Sequence, residues 1–198
     1  MKLMAIGFPK SGTTSLTRAL ETSGLKAAHW QDDKYRFVGE LIYHAVLNGL
    51  DPFAHLKGYD AVTQAVVCLP AKQRNYWPNL DFAVLRAIRR AHPSCLFLLN
   101  YRRPEAIYES FMRWRGMQQR LERSDIPGLP INAGATRDHL IRWIENHFDA
   151  CRTFFANDPH FLEIDIESPD VPSILGGALG IQIKGWGDHK PDPVVPGA

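Results

Sequence analysis

One lysine, two glycines and four hydroxyl side chains crowd into nine residues near the start of the chain: Gly7-Phe8-Pro9-Lys10-Ser11-Gly12-Thr13-Thr14-Ser15. An apolar stretch precedes the run and an amphipathic one follows it, so it reads as a loop between a strand and a helix. Such a loop aims backbone N–H groups and a helix N-terminus at an anion. Ser11, Thr13, Thr14 and Ser15 add hydroxyl donors, and Lys10 adds a mobile positive charge. The common nucleotide loop is Gly, any four residues, Gly, Lys, then Ser or Thr. Gly7 and Gly12 keep that spacing and Thr14 fits the last position, but Thr13 stands where the lysine belongs. The lysine has moved three residues earlier, to Lys10. In a kinase the later lysine reaches the terminal phosphates, and the Ser/Thr shares magnesium with a second acidic residue. The clearest buried strand here ends in Asn100-Tyr101-Arg102, with no aspartate to play that part, so no metal ligand set is assigned.

The elements that must position this loop alternate between strand and helix patterns, which predicts an α/β fold with a mostly parallel sheet. Residues 2–7 read as a buried strand, 14–23 as a helix stopped by Gly24, and 26–29 as a second strand. Asp32 or Asp33 is a candidate cap for a helix over 34–48, with Phe37, Leu41 and Ala45 inward and Gly49 at its end. Residues 60–67 predict a third strand. Pro78 opens a helix to about His92, and 94–100 is the clearest buried strand. Pro104 suits the first position of the next helix, where its missing N–H is no loss. Residues 116–135 lack periodicity and read as a lid or binding loop. Thr136 caps a long helix with Leu140, Ile144, Phe148, Cys151 and Phe155 inward. A strand near 161–164 and a small helix over 171–179 close a single domain, 1–190, followed by a Pro/Gly-rich tail, 191–198.

Composition bounds the function. The chain has 198 residues, 45% of them hydrophobic and 22% charged, which is enough to build a full core. A net charge of +2 is too mild for a nucleic-acid binder, and no basic stripe appears. No stretch approaches the roughly 20 apolar residues of a membrane span. The N-terminal apolar run ends at Pro9 and Lys10, too short for an export signal. Cys68, Cys95 and Cys151 are odd in number, lack metal-ligand spacing and lie in apolar stretches. They read as reduced core residues, and the expected location is the cytoplasm.

The run from Pro9 to Thr14 resembles the 5'-phosphosulfate loop of the P-loop sulfotransferases, which reads Pro-Lys-Ser-Gly-Thr-Thr in many members. The same family has an arginine at the end of a central strand and a serine eight residues later. That pair binds the 3'-phosphate of 3'-phosphoadenosine 5'-phosphosulfate (PAPS). Arg102 and Ser110 keep the spacing, although Arg103 stands where the family often has Asp. A guanidinium fork suits a phosphate, and a helical side chain at Ser110 tilts back toward the helix start. The resemblance is to a bacterial-type branch and runs from about residue 1 to 190. His92-Pro93, the strand that follows and the late segment 161–180 add to it. It implies a five-stranded parallel sheet flanked by helices, with PAPS as donor and no required metal. Pro9, Lys10, Ser11, Gly12, Thr13, Thr14, Ser15, Arg102 and Ser110 are then the donor-binding residues.

Sulfuryl transfer, like phosphoryl transfer, spreads charge over peripheral oxygens and needs donors around them. Lys10 is the candidate to stabilise the transferring group and the leaving oxygen. The acceptor also needs a base. His29, at the end of the second strand and matching a histidine after the first helix in similar sequences, is the first choice. Asp32, Asp33 and Glu40 are alternatives, and Gln64 stands where relatives often show Asp. His44, His139 and His147 read as helix-face residues, and the Lys184–His189 stretch weakly resembles a late 3'-phosphate contact. Trp30, Trp77 and Trp114 suit core packing or an acceptor pocket. The acceptor is expected to be a small molecule or glycan. A P-loop small-molecule kinase and a non-catalytic nucleotide-binding protein are the alternative functions.

Overall fold

A computed structural model describes residues 1–187. The central strands are short and apolar on both faces, which requires cover on both sides of the sheet. β1 (Leu3–Ala5), β2 (Ala27–His29), β3 (Ala61–Gln64), β6 (Leu96–Tyr101) and β7 (Phe161–Asp165) form one parallel sheet in the order β2-β3-β1-β6-β7. Leu3 sits in register with Ala61 on one side and Leu96 on the other, so β1 is central. The five parallel strands and their flanking helices match the expectation from sequence.

Alternate side chains serve opposite faces, as the two-residue period of a strand demands. Leu3, Ala5, Leu96 and Leu98 pack with Leu16 and Leu20 of α1 (Thr13–Thr22) and Val171 and Leu175 of α7 (Val171–Leu179). Met4, Phe97 and Leu99 face the larger cluster. There they meet α2 (Val38–Leu47), α3 (Phe82–Ala91), α4 (Pro104–Arg113) and α6 (Arg137–Phe154), through Ile42, Leu85, Ile107 and Phe148 among others. Thr136 caps α6 by accepting the His139 N–H, and all five expected inward positions of that helix are buried. Cys68, Cys95 and Cys151 are free and buried.

Four expectations need correction. First, α2 begins at Val38, and neither Asp32 nor Asp33 caps it. The buried Asp32 carboxylate accepts the backbone N–H groups of Lys34 and Arg36 and pairs with the Arg36 guanidinium at 2.6 Å. This local aspartate turn competes with helix and wins. Second, the strand expected over 60–67 breaks after Gln64. Val67–Leu69 (β4) instead pairs antiparallel with Arg74–Tyr76 (β5) across a 3₁₀ turn at Pro70–Lys72. Third, Pro78 does not open α3. Asp81 caps it, its carboxylate accepting the Ala83 and Val84 N–H groups. Fourth, residues 116–135, expected to lack regular structure, do not lack it. They contain α5 (Met117–Glu122) and a 3₁₀ turn at Ala133–Ala135, anchored by buried Met117, Leu121, Ile126 and Leu129.

No helix among the described residues is long and apolar enough to cross a membrane. His189 and the 191–198 tail lie outside the described residues.

Candidate active site

The chain leaves β1, at the centre of the sheet, through a tight loop and enters α1. Strand order diverges on either side of β1, and the crevice beyond the strand ends at such a point is where ligands settle in α/β sheets. Two residues of the loop are left-handed, Gly12 (φ 73°) and Lys10 (φ 70°). A lysine in that region costs on the order of 1 kcal/mol and persists only where surroundings hold it. Arg102 does so: its Nη1 donates to the Lys10 carbonyl at 2.9 Å.

Asn100, at the end of β6, clamps the loop more tightly. Its Oδ1 accepts the Gly7 N–H at 3.0 Å, and its Nδ2 donates to the Ser11 carbonyl and hydroxyl at 2.7 and 2.6 Å. Asn79 Nδ2 donates to the Gly7 carbonyl at 2.8 Å. Gly7 has no alternative here, because a Cβ would lie 2.6 Å from Asn100 Oδ1. Sequence reasoning noted Asn100 only as a residue that is not aspartate. A polar amide ending an otherwise apolar strand was the available signal.

The loop's hydroxyls therefore divide. Ser11 is fully buried, donating to the Phe8 carbonyl and receiving from Asn100. Thr13 donates to Gln64 Oε1 at 2.9 Å. Thr14 is exposed and Ser15 half-buried. The first hydrogen bond of α1 runs from Leu16 N–H to the Gly12 carbonyl, which leaves the N–H groups of residues 13–15 without intrahelical partners.

A cavity of about 910 Å³ opens beside this loop. One wall is Pro9, Lys10 and residues 12–15. The ends of β2 and β3 contribute His29, Trp30 and Gln64, and the hairpin contributes Cys68, Leu69 and Lys72. Trp114, Arg115, Met117 and Arg120 form the far wall. The Lys10 ammonium lies over the Trp114 ring, 4.4 Å from its centroid. Burial, then the nearby Arg113 charge, hold the Lys10 pKa below the ordinary lysine value. A second hollow, of about 570 Å³, lies at the opposite edge of the sheet around Arg89, Asp158 and His160, away from the loop.

His29 lines the main cavity, its Nδ1 3.1 Å from Thr17 Oγ1 and 3.2 Å from Thr63 Oγ1. The two hydroxyls are 2.7 Å apart and also reach the carbonyls of Thr13 and Ala28. Two hydroxyl protons cannot serve all of these contacts. When both hydroxyls donate to the carbonyls, a proton on Nδ1 completes the set and leaves the Nε2 lone pair free. Burial pushes the imidazole pKa down to about 4, so the ring is neutral. Neither threonine was singled out from sequence, because each lies far along the chain from its partner. Of the alternative bases, Asp32 pairs with Arg36, Asp33 with Lys26, and Glu40 faces Tyr76 and Arg74. None of the three lines the cavity.

Arg102 and Ser110 do not line it either. Arg102 touches the loop from behind through the Lys10 carbonyl, with Nε 3.5 Å from a Glu167 carboxylate oxygen. Ser110 is half-buried in α4.

A family profile described as a sulfotransferase domain matches residues 2–163, from β1 into β7. The chain belongs to the sulfotransferase family. No curated protein matches it. The matched span holds the loop, the Asn100 clamp, His29, and the Arg102 and Ser110 positions. Family membership makes the chain an enzyme of the sulfate-transferring class.

The sulfotransferase carries two neutral histidines, the half-buried His29 and the buried His147, whose pKa values both lie at about 4. His147 packs edge-on to Phe8, with its Nε2 2.8 Å from the Ile6 carbonyl. The unfolded chain binds protons at histidine near pH 6.5, while these two folded sites do not until about pH 4. Stability is therefore complete above about pH 6.5 and falls as pH drops through that window, by up to about 2 kcal/mol per histidine at pH 5. The shifted carboxylates, such as Asp32, act only below the ordinary carboxylate range and do not blur it. Urea unfolding at pH 7.5 and 5 checks the effect. A His29→Asn variant is expected to lose about half of the pH dependence, and equal midpoints at both pH values in the wild type would contradict the assignment.

Proposed function

We propose that this chain transfers a sulfuryl group from PAPS to a hydroxyl or amine acceptor, a small molecule or glycan bound in the 910 Å³ cavity. The carrying observation is that one cavity is lined by Lys10, by a helix start with free N–H groups, and by His29 with its free Nε2. The loop N–H groups and the hydroxyls of Thr13, Thr14 and Ser15 hold the 5'-phosphosulfate. Pro9 and Gly12 shape the turn, and Ser11 acts through its buried hydrogen bonds rather than by direct contact. Arg102 and Ser110, outside the cavity, are assigned to the 3'-phosphate.

His29 Nε2 takes the acceptor's proton as the acceptor oxygen or nitrogen bonds to sulfur. The bond from sulfur to the bridging phosphate oxygen breaks, and that oxygen leaves with the electron pair. Lys10 and the loop donors stabilise the charge that develops there, a placement that typically accounts for several kcal/mol of barrier. An imidazole already neutral at physiological pH is always in the base form.

The test is isothermal titration, without magnesium, of 3'-phosphoadenosine 5'-phosphate, ADP and ATP. The 3'-phosphorylated ligand is expected to bind at least tenfold more tightly than ADP, with the preference lost in Arg102→Ala and reduced in Ser110→Ala. Because Arg102 also holds the Lys10 carbonyl, the serine variant separates phosphate contact from loop support. Tighter binding of ATP, improved by magnesium and indifferent to both substitutions, would refute the proposal in favour of a kinase.

A further inference from the structure

We propose that the acceptor is an organic anion: an apolar, preferably flat skeleton that carries the nucleophile and, separately, a carboxylate, phosphate or sulfate. The inference rests on the cavity being the acceptor chamber of a sulfotransferase, and it names what that chamber selects. Charge is the first observation. Four basic residues line the cavity, Lys10, Lys72, Arg115 and Arg120, and among the described residues no Asp or Glu does. Lys10 belongs to the donor loop, which leaves three cations with no assigned counter-charge. They come from separate elements, Lys72 from the turn between β4 and β5, Arg115 from the link between α4 and α5, and Arg120 from α5 itself. Neither arginine head nor Lys72 has an ion-pair partner among the described residues, whereas the neighbouring Arg74 and Arg113 pair with Glu40 and Glu109. Arg120 is partly buried and close enough to bear on the Cys68 thiol. A half-buried guanidinium facing a cavity without acid is suited to a bidentate anion.

Shape is the second observation. Trp30 lines the cavity in a left-handed conformation (φ 60°). An aromatic residue there is strained, and its backbone is pinned by Trp30 N–H to the Gln64 carbonyl and Val38 N–H to the Trp30 carbonyl, at 2.9 and 3.0 Å. The strain presents its indole edge-to-face with Phe37, ring centroids 5.3 Å apart, as an apolar wall. An acceptor lying against that wall, with its nucleophile toward His29, has its far end free to meet the cations.

The test uses two matched probes, 2-naphthol and 6-hydroxy-2-naphthoate, titrated into protein with and without saturating 3'-phosphoadenosine 5'-phosphate and followed by tryptophan fluorescence. The carboxylate is expected to bind at least tenfold more tightly than the neutral phenol. The double variant Arg115→Gln/Arg120→Gln is expected to reduce that preference below threefold without changing nucleotide affinity or thermal stability. Lys72→Gln, on a different element, lowers it two- to threefold, and Trp30→Ala weakens both probes alike. Equal binding of the two probes, or a preference that survives all the charge substitutions, overturns the inference. Failure of the nucleotide to bind, with the preference still dependent on the arginines, removes the sulfotransfer assignment and leaves the anion site standing.

Discussion

Lys10→Ala is expected to reduce sulfuryl transfer by two to three orders of magnitude, the typical loss when one donor to a developing oxyanion is removed. The Lys10 ammonium rests over Trp114, held by a cation–π contact 4.4 Å from the ring centroid. Such a contact at a half-exposed site amounts to about 1 kcal/mol, which an incoming polyanion can exceed several times over. Donor binding is thus expected to draw the ammonium off the indole, and Trp114 fluorescence reports the change. The backbone at residue 10 is left-handed for lysine and alanine alike, so the substitution changes charge without adding strain. Steady-state turnover beside titration of 3'-phosphoadenosine 5'-phosphate separates the two roles. The expected pattern is a collapse of kcat with a loss of nucleotide affinity of tenfold or less. Turnover within tenfold of the wild type would show that another cation carries the leaving group.

Asn100→Ala is expected to cost about 3 kcal/mol of stability, because it strands a buried donor and acceptor at once. The Gly7 N–H loses its acceptor, and the Ser11 carbonyl and hydroxyl lose their shared donor. For a domain of this size that loss lowers the melting temperature by roughly 6–12 °C. The larger consequence is local. With its ends unclamped from β6, the loop loses the fixed spacing of its N–H groups, and nucleotide affinity should fall at least tenfold. Asn100→Asp separates the two effects. It keeps an acceptor for Gly7, leaves the Ser11 carbonyl without its donor, and sets a negative charge under the anion site. Urea unfolding and nucleotide titration of both variants provide the check. An Asn100→Ala protein as stable as the wild type would mean that the loop holds its shape without the clamp.

Local sequence determined the parts whose signals are local. The Pro9 to Thr14 run, its place between a first strand and a first helix, the Thr136 cap, Pro104 at its helix start and the period of the long α6 helix were all legible. Each depends on residues within a few positions of one another, where spacing and backbone preference suffice. Tertiary structure decided the rest, because the partners lie far apart along the chain. Asn100 reaches Gly7 across 93 residues, and Thr17 reaches Thr63 across 46. The hydroxyl of Ser11 turned inward because Asn100 met it there. The Asp32 carboxylate became a turn rather than a cap, and the 67–76 hairpin and α5 formed on packing that no periodicity announced. Sequence alone placed an anion loop at the head of the fold. Only the folded chain could set a neutral histidine, a lysine over an indole and three further cations around a single cavity, since the sheet and its crossovers bring these residues together.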